Sequence, residues 1–147
     1  MIRAFPRHQL KLSAEISRAV QLREVRLCRL SFSYAEPTGN CRISLATRGR
    51  LINRETQRLE FEVGFELKLL EEESEREALQ LEGAFALRYS CGEIEPGDEP
   101  LAAFAEINAP YNAWPYLREL IGSLSQRAGL RPPLMLPSLH IGVKRED

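Results

Sequence analysis

Histidine and cysteine, which serve in many catalytic and metal-binding sites, are few in this chain. The two histidines, His8 and His140, lie near opposite ends of the sequence, and neither neighbours a cluster of cysteines or carboxylates. The three cysteines form no CxxC pair, and we interpret Cys28 and Cys41 as small buried hydrophobic residues. No phosphate-binding glycine loop or nucleophile elbow is present. The sequence therefore predicts no metal site, no cofactor and no enzymatic activity.

Alternating glutamates are the one pattern that resembles acid–base chemistry. Glu60, Glu62 and Glu66 fall on alternate positions, each flanked by apolar residues. A period of two is typical of the solvent face of a strand, so a wet sheet surface is favoured over a catalytic carboxylate pair. Glu106 and Asn108 have polar side chains of the kind found in catalytic and binding sites, but a polar loop is the simpler interpretation.

The elements that would position these residues follow from hydrophobic periodicity. A helix is predicted over 12–22, with Ser13 as its N-cap, because apolar residues recur there at helical spacing. Between 25 and 90 the period is two, which predicts four strands. In the clearest of them, every odd position from 59 to 69 is apolar. Short polar connections between the strands imply an antiparallel meander.

The remainder of the chain is expected to cover this sheet. We predict a crossover loop over 100–113, a long helix over 114–129 capped by Asn112, and an apolar tail over 130–147. The whole chain, 1–147, is then a single α+β domain: a four-stranded antiparallel meander sheet with a short N-terminal helix and one long C-terminal helix packed on its apolar face.

Charge and hydropathy exclude several classes of partner. The chain has 20 basic and 21 acidic residues, and this balance argues against nucleic acid or an anionic membrane. No stretch approaches the roughly 18 to 20 apolar residues of a membrane span, and no signal peptide precedes the first helix. We therefore expect a cytoplasmic protein with no membrane insertion. The charges are segregated, however: residues 1–35 have seven basic and two acidic side chains, and residues 60–82 have two basic and nine acidic.

Large apolar residues also occur outside the predicted regular elements. They are Phe104, Ile107 and Tyr111 in the crossover, Trp114 at the start of the long helix, and Met135 and Leu136 in the tail. Two interpretations stay open, namely structural anchors and a surface that accepts apolar segments. The helix itself carries Leu117, Leu120, Ile121 and Leu124 at helical spacing, which predicts a place in the core or in a subunit interface.

One segment resembles a known family. Trp114-Pro-Tyr-Leu-Arg-Glu-Leu-Ile, followed by Ser125-Gln-Arg-Ala-Gly-Leu-Arg-Pro-Pro-Leu-Met-Leu-Pro, resembles the helix and following segment of the SecB-type protein-export chaperones. The order of four antiparallel strands, an apolar crossover and a long helix extends the resemblance over most of the chain. The leading helix, which runs into Val25-Arg-Leu-Cys-Arg-Leu, is more similar to divergent SecB-like chaperones, some of which accompany toxin–antitoxin modules.

The resemblance implies a homotetramer, a dimer of dimers, that holds unfolded client polypeptides without ATP, in protein export or beside a toxin–antitoxin partner. We hypothesise that the client groove is lined by the apolar residues outside the predicted regular elements, namely Phe104, Ile107, Tyr111, Trp114, Met135 and Leu136. In export chaperones of this family a translocation motor docks on an acidic sheet face, and the corresponding face here has Glu60, Glu62, Glu66 and Glu82. Simple solubility is the other interpretation of these glutamates. The chain stops soon after Ile141 and lacks the second C-terminal helix of the archetype, which puts coupling to the motor in doubt.

Two alternatives belong to other functional classes. One is a small-ligand or lipid-binding α+β domain, or a thioesterase-like enzyme with a helix wrapped by a sheet. The other is an interaction subunit with one dedicated partner. Helix placement separates the first alternative from a chaperone, because wrapped-helix enzymes insert their long helix after the first strand, whereas here it follows the fourth.

Overall fold

The computed structural model describes residues 1–145 and has an α+β architecture. The elements are β1 (Ile2–Phe5), α1 (Arg7–Ser17), β2 (Val20–Tyr34), β3 (Cys41–Glu55), β4 (Arg58–Glu71), β5 (Glu77–Cys91), α2 (Asp98–Glu106), α3 (Asn108–Arg127) and β6 (His140–Val143). Strands β2 to β5 form one antiparallel sheet, and the helices pack on its apolar face. The predicted α+β fold with a four-stranded antiparallel sheet and a long C-terminal helix is confirmed.

The strand order of this sheet differs from the predicted meander. Strands β3, β4 and β5 are successive neighbours, but β2 pairs with β5 and therefore lies at the edge opposite β3. The connection over 35–40 must cross the end of the sheet, a span of about 14 Å for three strand spacings. Six extended residues can reach about 20 Å, so the crossing is short but unstrained. Sequence reasoning assumed that all consecutive strands of the sheet are neighbours, but β2 and β3 are not.

Side chains from the β4–β5 turn hold this crossing connection in place. The buried carboxylate of Glu71 accepts hydrogen bonds from the amide of Thr38 at 3.0 Å and from its hydroxyl at 3.2 Å. Arg76 forms an ion pair with Glu71 and also donates to the carbonyl of Glu36 at 2.8 Å. Arg76, Ser74 and Thr38 together hold the pKa of Glu71 well below its usual range.

The alternation in β4 fixes the centre of the core. All six of its odd-numbered apolar residues are buried: Leu59, Phe61, Val63, Phe65, Leu67 and Leu69. Phe61 packs against Phe104 of α2 with ring centroids 5.0 Å apart, and against Tyr89 of β5 at 5.7 Å. A one-residue slip would expose all six side chains, at about 1.5 to 3 kcal/mol each, so the register is strongly determined.

The predicted N-terminal helix is displaced. It was expected over 12–22, but α1 spans Arg7–Ser17. Ser13, expected as the N-cap, is buried inside the helix and donates its hydroxyl hydrogen bond to the side chain of Asn108. The sheet begins earlier than the expected residue 25, because β2 already pairs with β5 from Val20 onward. Residues 20–22 therefore belong to strand β2, although the spacing of their apolar side chains also suited a helix.

The predicted crossover loop over 100–113 is helical. It contains most of α2 and the first residues of α3, so the long helix begins at Asn108 rather than at 114 and ends at Arg127 rather than at 129. The two helices break at Ile107 because Pro110, in the first turn of α3, has no N–H to continue the preceding helix. Asn112, expected as a cap, lies within α3 and donates to the hydroxyl of Tyr89 at 2.8 Å.

The C-terminal segment is not a free apolar tail. Residues 140–143 form β6, which pairs in parallel with β1 and ties the two ends of the described chain together. Glu146 and Asp147, the last residues of the predicted tail, lie outside the described residues.

The burial of the cysteines also differs from the expectation. Cys28 is exposed, Cys41 is partly buried and Cys91 is buried. A register shift between Leu27 and Arg29 leaves Cys28 in a bulge of β2, so it takes no place on the apolar face.

Gly49 is where the helix layer approaches the sheet most closely. A Cβ atom at Gly49 would lie 1.8 Å from the carbonyl oxygen of Ala105, whereas a Cβ at Gly64 would have no neighbour nearer than 3.8 Å. We predict that Gly49→Ala lowers the free energy of unfolding by about 1 to 3 kcal/mol, because the α2–α3 junction must move away from β3. Urea denaturation would measure the loss. Gly64→Ala, the matched control in the neighbouring strand, should change stability by less than about 1 kcal/mol. Equal effects of the two substitutions would contradict this packing.

Glu71 makes the fold sensitive to acid. Because its pKa is lower in the folded chain than in the unfolded chain, its ionised form stabilises the fold above about pH 4.3, and this contribution is lost as the pH falls below that value. We expect the thermal midpoint to fall between about pH 6 and pH 3 more steeply in the wild type than in Glu71→Gln, which cannot titrate. Circular dichroism melts would show the difference. Glu73→Gln, in the same turn, should keep the wild-type dependence.

Candidate functional site

The structure separates the six residues predicted to line a groove into two groups. Phe104, Ile107, Trp114 and Leu136 are buried in the core, whereas Tyr111 is 47% exposed and Met135 78% exposed. The ring of Phe104 lies 5.0 Å from that of Phe61 and 5.1 Å from that of Tyr89, measured between ring centroids. The four buried side chains therefore support the fold, and Tyr111 and Met135 are the two that an external polypeptide can contact.

Ile107 and Tyr111 line an open groove between α1, the start of α3 and the C-terminal segment. We refer to it as the α1–α3 groove; its volume is about 490 Å³. Its lining consists of Leu10, Ser13, Ala14, Ser17, Ile107, Asn108, Tyr111, Leu139, His140 and Ile141. The Ser13–Asn108 hydrogen bond satisfies the polar groups at its centre. Of the other eight lining residues six are apolar, whereas Ser17 and His140 are polar and exposed. Such a lining offers an extended segment both apolar contacts and hydrogen-bonding groups.

The C-terminal segment forms one wall of this groove and is held against α3 by side chains. The indole Nε1 of Trp114 donates to the carbonyl of Pro137 at 2.8 Å. The Nε of Arg118 donates to the carbonyl of Leu136 at 2.8 Å. These two bonds explain why Trp114 is buried while Met135, on the same segment, projects outward.

A second open groove lies between β3 and α2 and has a volume of about 600 Å³. Residues 47–51 of the edge strand β3 form one side, and Leu101, Ala102 and Ala105 of α2 form the other. Arg3 lies at its end and donates to the hydroxyl of Thr47 at 3.3 Å. Sequence reasoning missed this groove because it depends on the helical form of α2 and on the edge position of β3.

The edge formed by β2 exposes further apolar residues. Leu27 is 41% exposed and Leu30 is 40% exposed, although both lie on the apolar face of the sheet. Leu27 lies opposite Phe85, whose ring centroid is 6.4 Å from that of the half-exposed Tyr116 of α3. We refer to Leu27, Leu30 and Tyr116 as the β2-edge surface. An apolar surface of this kind at a sheet edge suits contact with another polypeptide.

The residues predicted for the core or interface of the long helix point toward the sheet. Leu117 and Ile121 are buried, and Leu120 and Leu124 are partly buried against the same core.

The predicted acidic face contains more cations than the spacing of its glutamates suggested. Glu60 forms an ion pair with Arg26 at 3.4 Å, and Glu62 with Arg50 at 3.2 Å. Glu66 lies opposite the exposed Glu82 in the strand register, and Lys68 is within 3.2 Å of Glu66. Sequence reasoning missed the arginines because they lie on β2 and β3, and only the strand order brings them beside β4.

The described residues offer little for metal chemistry. Across residues 1–145, no group of three or more histidine, cysteine or carboxylate side chains is placed to hold a metal ion. None of the helices described over the same range is both long and apolar enough to cross a membrane.

Comparison with known proteins identifies the fold. No protein-family model matches the chain, and no curated protein matches its sequence. The structure is similar to that of Rv1957, a SecB-like chaperone of Mycobacterium tuberculosis, in complex with a ChAD peptide from the antitoxin HigA1, Rv1956. The TM-score is 0.76 and the identity 20%, over 88% of this chain and 98% of that chain. A protein of unknown function from Streptococcus agalactiae aligns with a TM-score of 0.49 and 11% identity over 80% of this chain and 96% of its own. The first similarity confirms the predicted SecB-like fold.

Proposed function

We propose that this chain, which has the SecB-like fold, is a chaperone that holds extended apolar segments of unfolded polypeptides without ATP, and that an antitoxin segment is among its clients. The observation that carries the proposal is the α1–α3 groove, an open groove in which six of the ten lining residues are apolar and Tyr111 is exposed. The complex of Rv1957 with an antitoxin peptide supports this choice of client. Action in the cytoplasm is part of the proposal.

The physical properties of the groove suit weak and adaptable binding. Each large apolar side chain of a client that becomes buried contributes about 1.5 to 3 kcal/mol, and ordering and association costs remove much of the sum. A groove that accepts a few such side chains would give micromolar affinity. Tyrosine contributes contact area while its hydroxyl remains hydrated, so an exposed Tyr111 can meet different client sequences.

The exposure of Tyr111 allows a direct test. We predict that Tyr111→Ser lowers the protection of a denatured model protein against aggregation by several-fold, because an apolar contact at the groove rim is lost. The control is Ile43→Ser, which removes an apolar side chain of nearly equal exposure, 49% against 47%, outside both the groove and the β2-edge surface. Light scattering during dilution from denaturant would measure protection, once both variants are shown to have the wild-type mass and thermal midpoint. Equal protection by Tyr111→Ser and wild type would remove the groove from the proposal.

The proposal includes a homotetramer arranged as a dimer of dimers. The β2-edge surface supports it, because a chain on its own leaves Leu27 and Leu30 about 40% exposed. Several grooves on one assembly would also raise the affinity for a long client by avidity. The apolar side chains of the β2 edge would then be covered by a second copy.

The tetramer predicts a particular mass and a way to reduce it. Light scattering after size exclusion should give four times the 16.8 kDa chain mass for the wild type. The double substitution Leu27→Asp and Leu30→Asp should lower that mass, because two charges would have to be buried between subunits. Ile43→Asp, at a similarly exposed apolar position on the opposite edge strand, should keep the wild-type mass. A monomeric wild type would contradict the proposed assembly.

The alternative functions have less support. The long helix follows the last strand of the main sheet, as expected for a chaperone of this fold and unlike a wrapped-helix enzyme. A role in export and the docking of a translocation motor on the sheet glutamates stay predictions. Glu60 and Glu62 are ion-paired and mostly covered, whereas Glu66, although paired with Lys68, and Glu82 are exposed and accessible for such docking.

A further inference from the structure

The face of the main sheet that points away from the helices contains an unexpected group of cations. Two adjacent rows of paired residues cross the four strands in the order β2, β5, β4, β3. The first row consists of Arg26, Ala86, Glu62 and Arg50, and the second consists of Arg29, Ala84, Gly64 and Arg48. Arginines stand at both ends of both rows. We refer to Arg26, Arg29, Arg48 and Arg50 as the four-arginine patch.

The patch presents a net positive charge to solvent, because Glu60 and Glu62 lie deeper than their partner guanidinium groups and the partly exposed Glu24 is shared between Arg26 and Arg88. The side chain of Glu62 is 22% exposed, whereas that of its partner Arg50 is 66% exposed. The side chain of Glu60 is 12% exposed against 51% for Arg26. Arg29 and Arg48 are exposed, and neither forms an ion pair within residues 1–145.

The sheet surface between the edge-strand arginines is recessed. Ala84 and Ala86 are buried, and Gly64 has no side chain. Adjacent rows on one face of a sheet are about 7 Å apart along the strands, and the two edge strands are about 14 Å apart. Carboxylates at positions i and i+2 of an extended segment are also about 7 Å apart, so they match the spacing of two successive arginines on one strand. Each guanidinium can hold such a carboxylate with two parallel hydrogen bonds.

We propose that the four-arginine patch binds an acidic, extended polypeptide segment of a partner protein, at a site separate from the α1–α3 groove. Charge complementarity identifies the chemistry of this partner. The patch is too short for a nucleic acid backbone, because Glu66 and Glu82 occupy the next row, about 7 Å beyond Arg29 and Arg48, and would repel continuing phosphates. The partner of the four-arginine patch is therefore acidic, whereas a partner that docks on the sheet glutamates would be basic.

Short peptides of defined charge test the proposal. The probes are two fluorescein-labelled decapeptides, one with alternating Glu and Thr and one with alternating Lys and Thr, measured by fluorescence anisotropy against the full chain at about 50 mM salt. We expect the acidic peptide to bind, and to bind more weakly as salt rises. The double substitution Arg29→Glu and Arg48→Glu should weaken binding at least about 10-fold. The control pair, Lys11→Glu and Arg131→Glu, makes the same change in net charge at exposed positions outside the patch and should leave binding near the wild-type value.

The possible outcomes separate this proposal from its competitors. Absence of binding by the acidic peptide, an equal loss in both charge-reversed pairs, or tighter binding of the basic peptide would each overturn it. Self-association of the wild type that Arg29→Glu and Arg48→Glu abolishes would also overturn it, because the acidic partner would then be a second copy. If the reversed pair does not fold, Arg29→Gln with Arg48→Gln should still lose most of the binding. Aggregation protection should be unchanged in the folded pair, so this proposal and the proposed function can fail independently.

Discussion

The register of β4 is the constraint on which the rest of the molecule depends. Its six odd-numbered apolar side chains are all buried, and the even-numbered Glu60, Glu62 and Glu66 are therefore placed on the opposite face. A slip of one residue would invert both faces at once. The position of the helices follows from this register, because the apolar face must be covered. The α2–α3 junction rests on that face where Gly49 leaves room for the carbonyl of Ala105.

The two faces of the sheet provide two different binding chemistries. On the apolar side, the helices cover most of the hydrophobic face and themselves form the α1–α3 groove with the C-terminal segment, while the β2-edge surface stays exposed. On the other face, edge-strand arginines rise above partly buried glutamates. A chaperone with both surfaces could hold an apolar client segment on one side and an acidic partner on the other without competition between them. This arrangement rests on the proposed function and on the proposed acidic partner together.

Local patterns predicted the strands well and the helices poorly. Alternation over 59–69 located β4 because period two is set by the chain itself. The prediction of a crossover loop over 100–113 is wrong, because these residues form most of α2 and the first six residues of α3. Of the six predicted groove residues, four proved to be core residues, since apolar character alone does not tell a binding surface from an interior. Only exposure, which depends on packing, distinguishes Tyr111 and Met135 from Trp114.

The sequence by itself determined the α+β class, the apolar face of the sheet and the resemblance to SecB-like chaperones, because these depend on spacing within short segments. The tertiary structure alone decided which strands are neighbours. The crossing over 35–40 places β2 beside β5, and the contacts of Glu71 and Arg76 hold it there. That order places Arg26 and Arg29 beside β5. The acidic strand β4 therefore lies inside a sheet face whose two edge strands contain arginines. Pairings between strands that are distant in sequence depend on the free energy of the whole folded chain, so the local pattern of residues does not predict them.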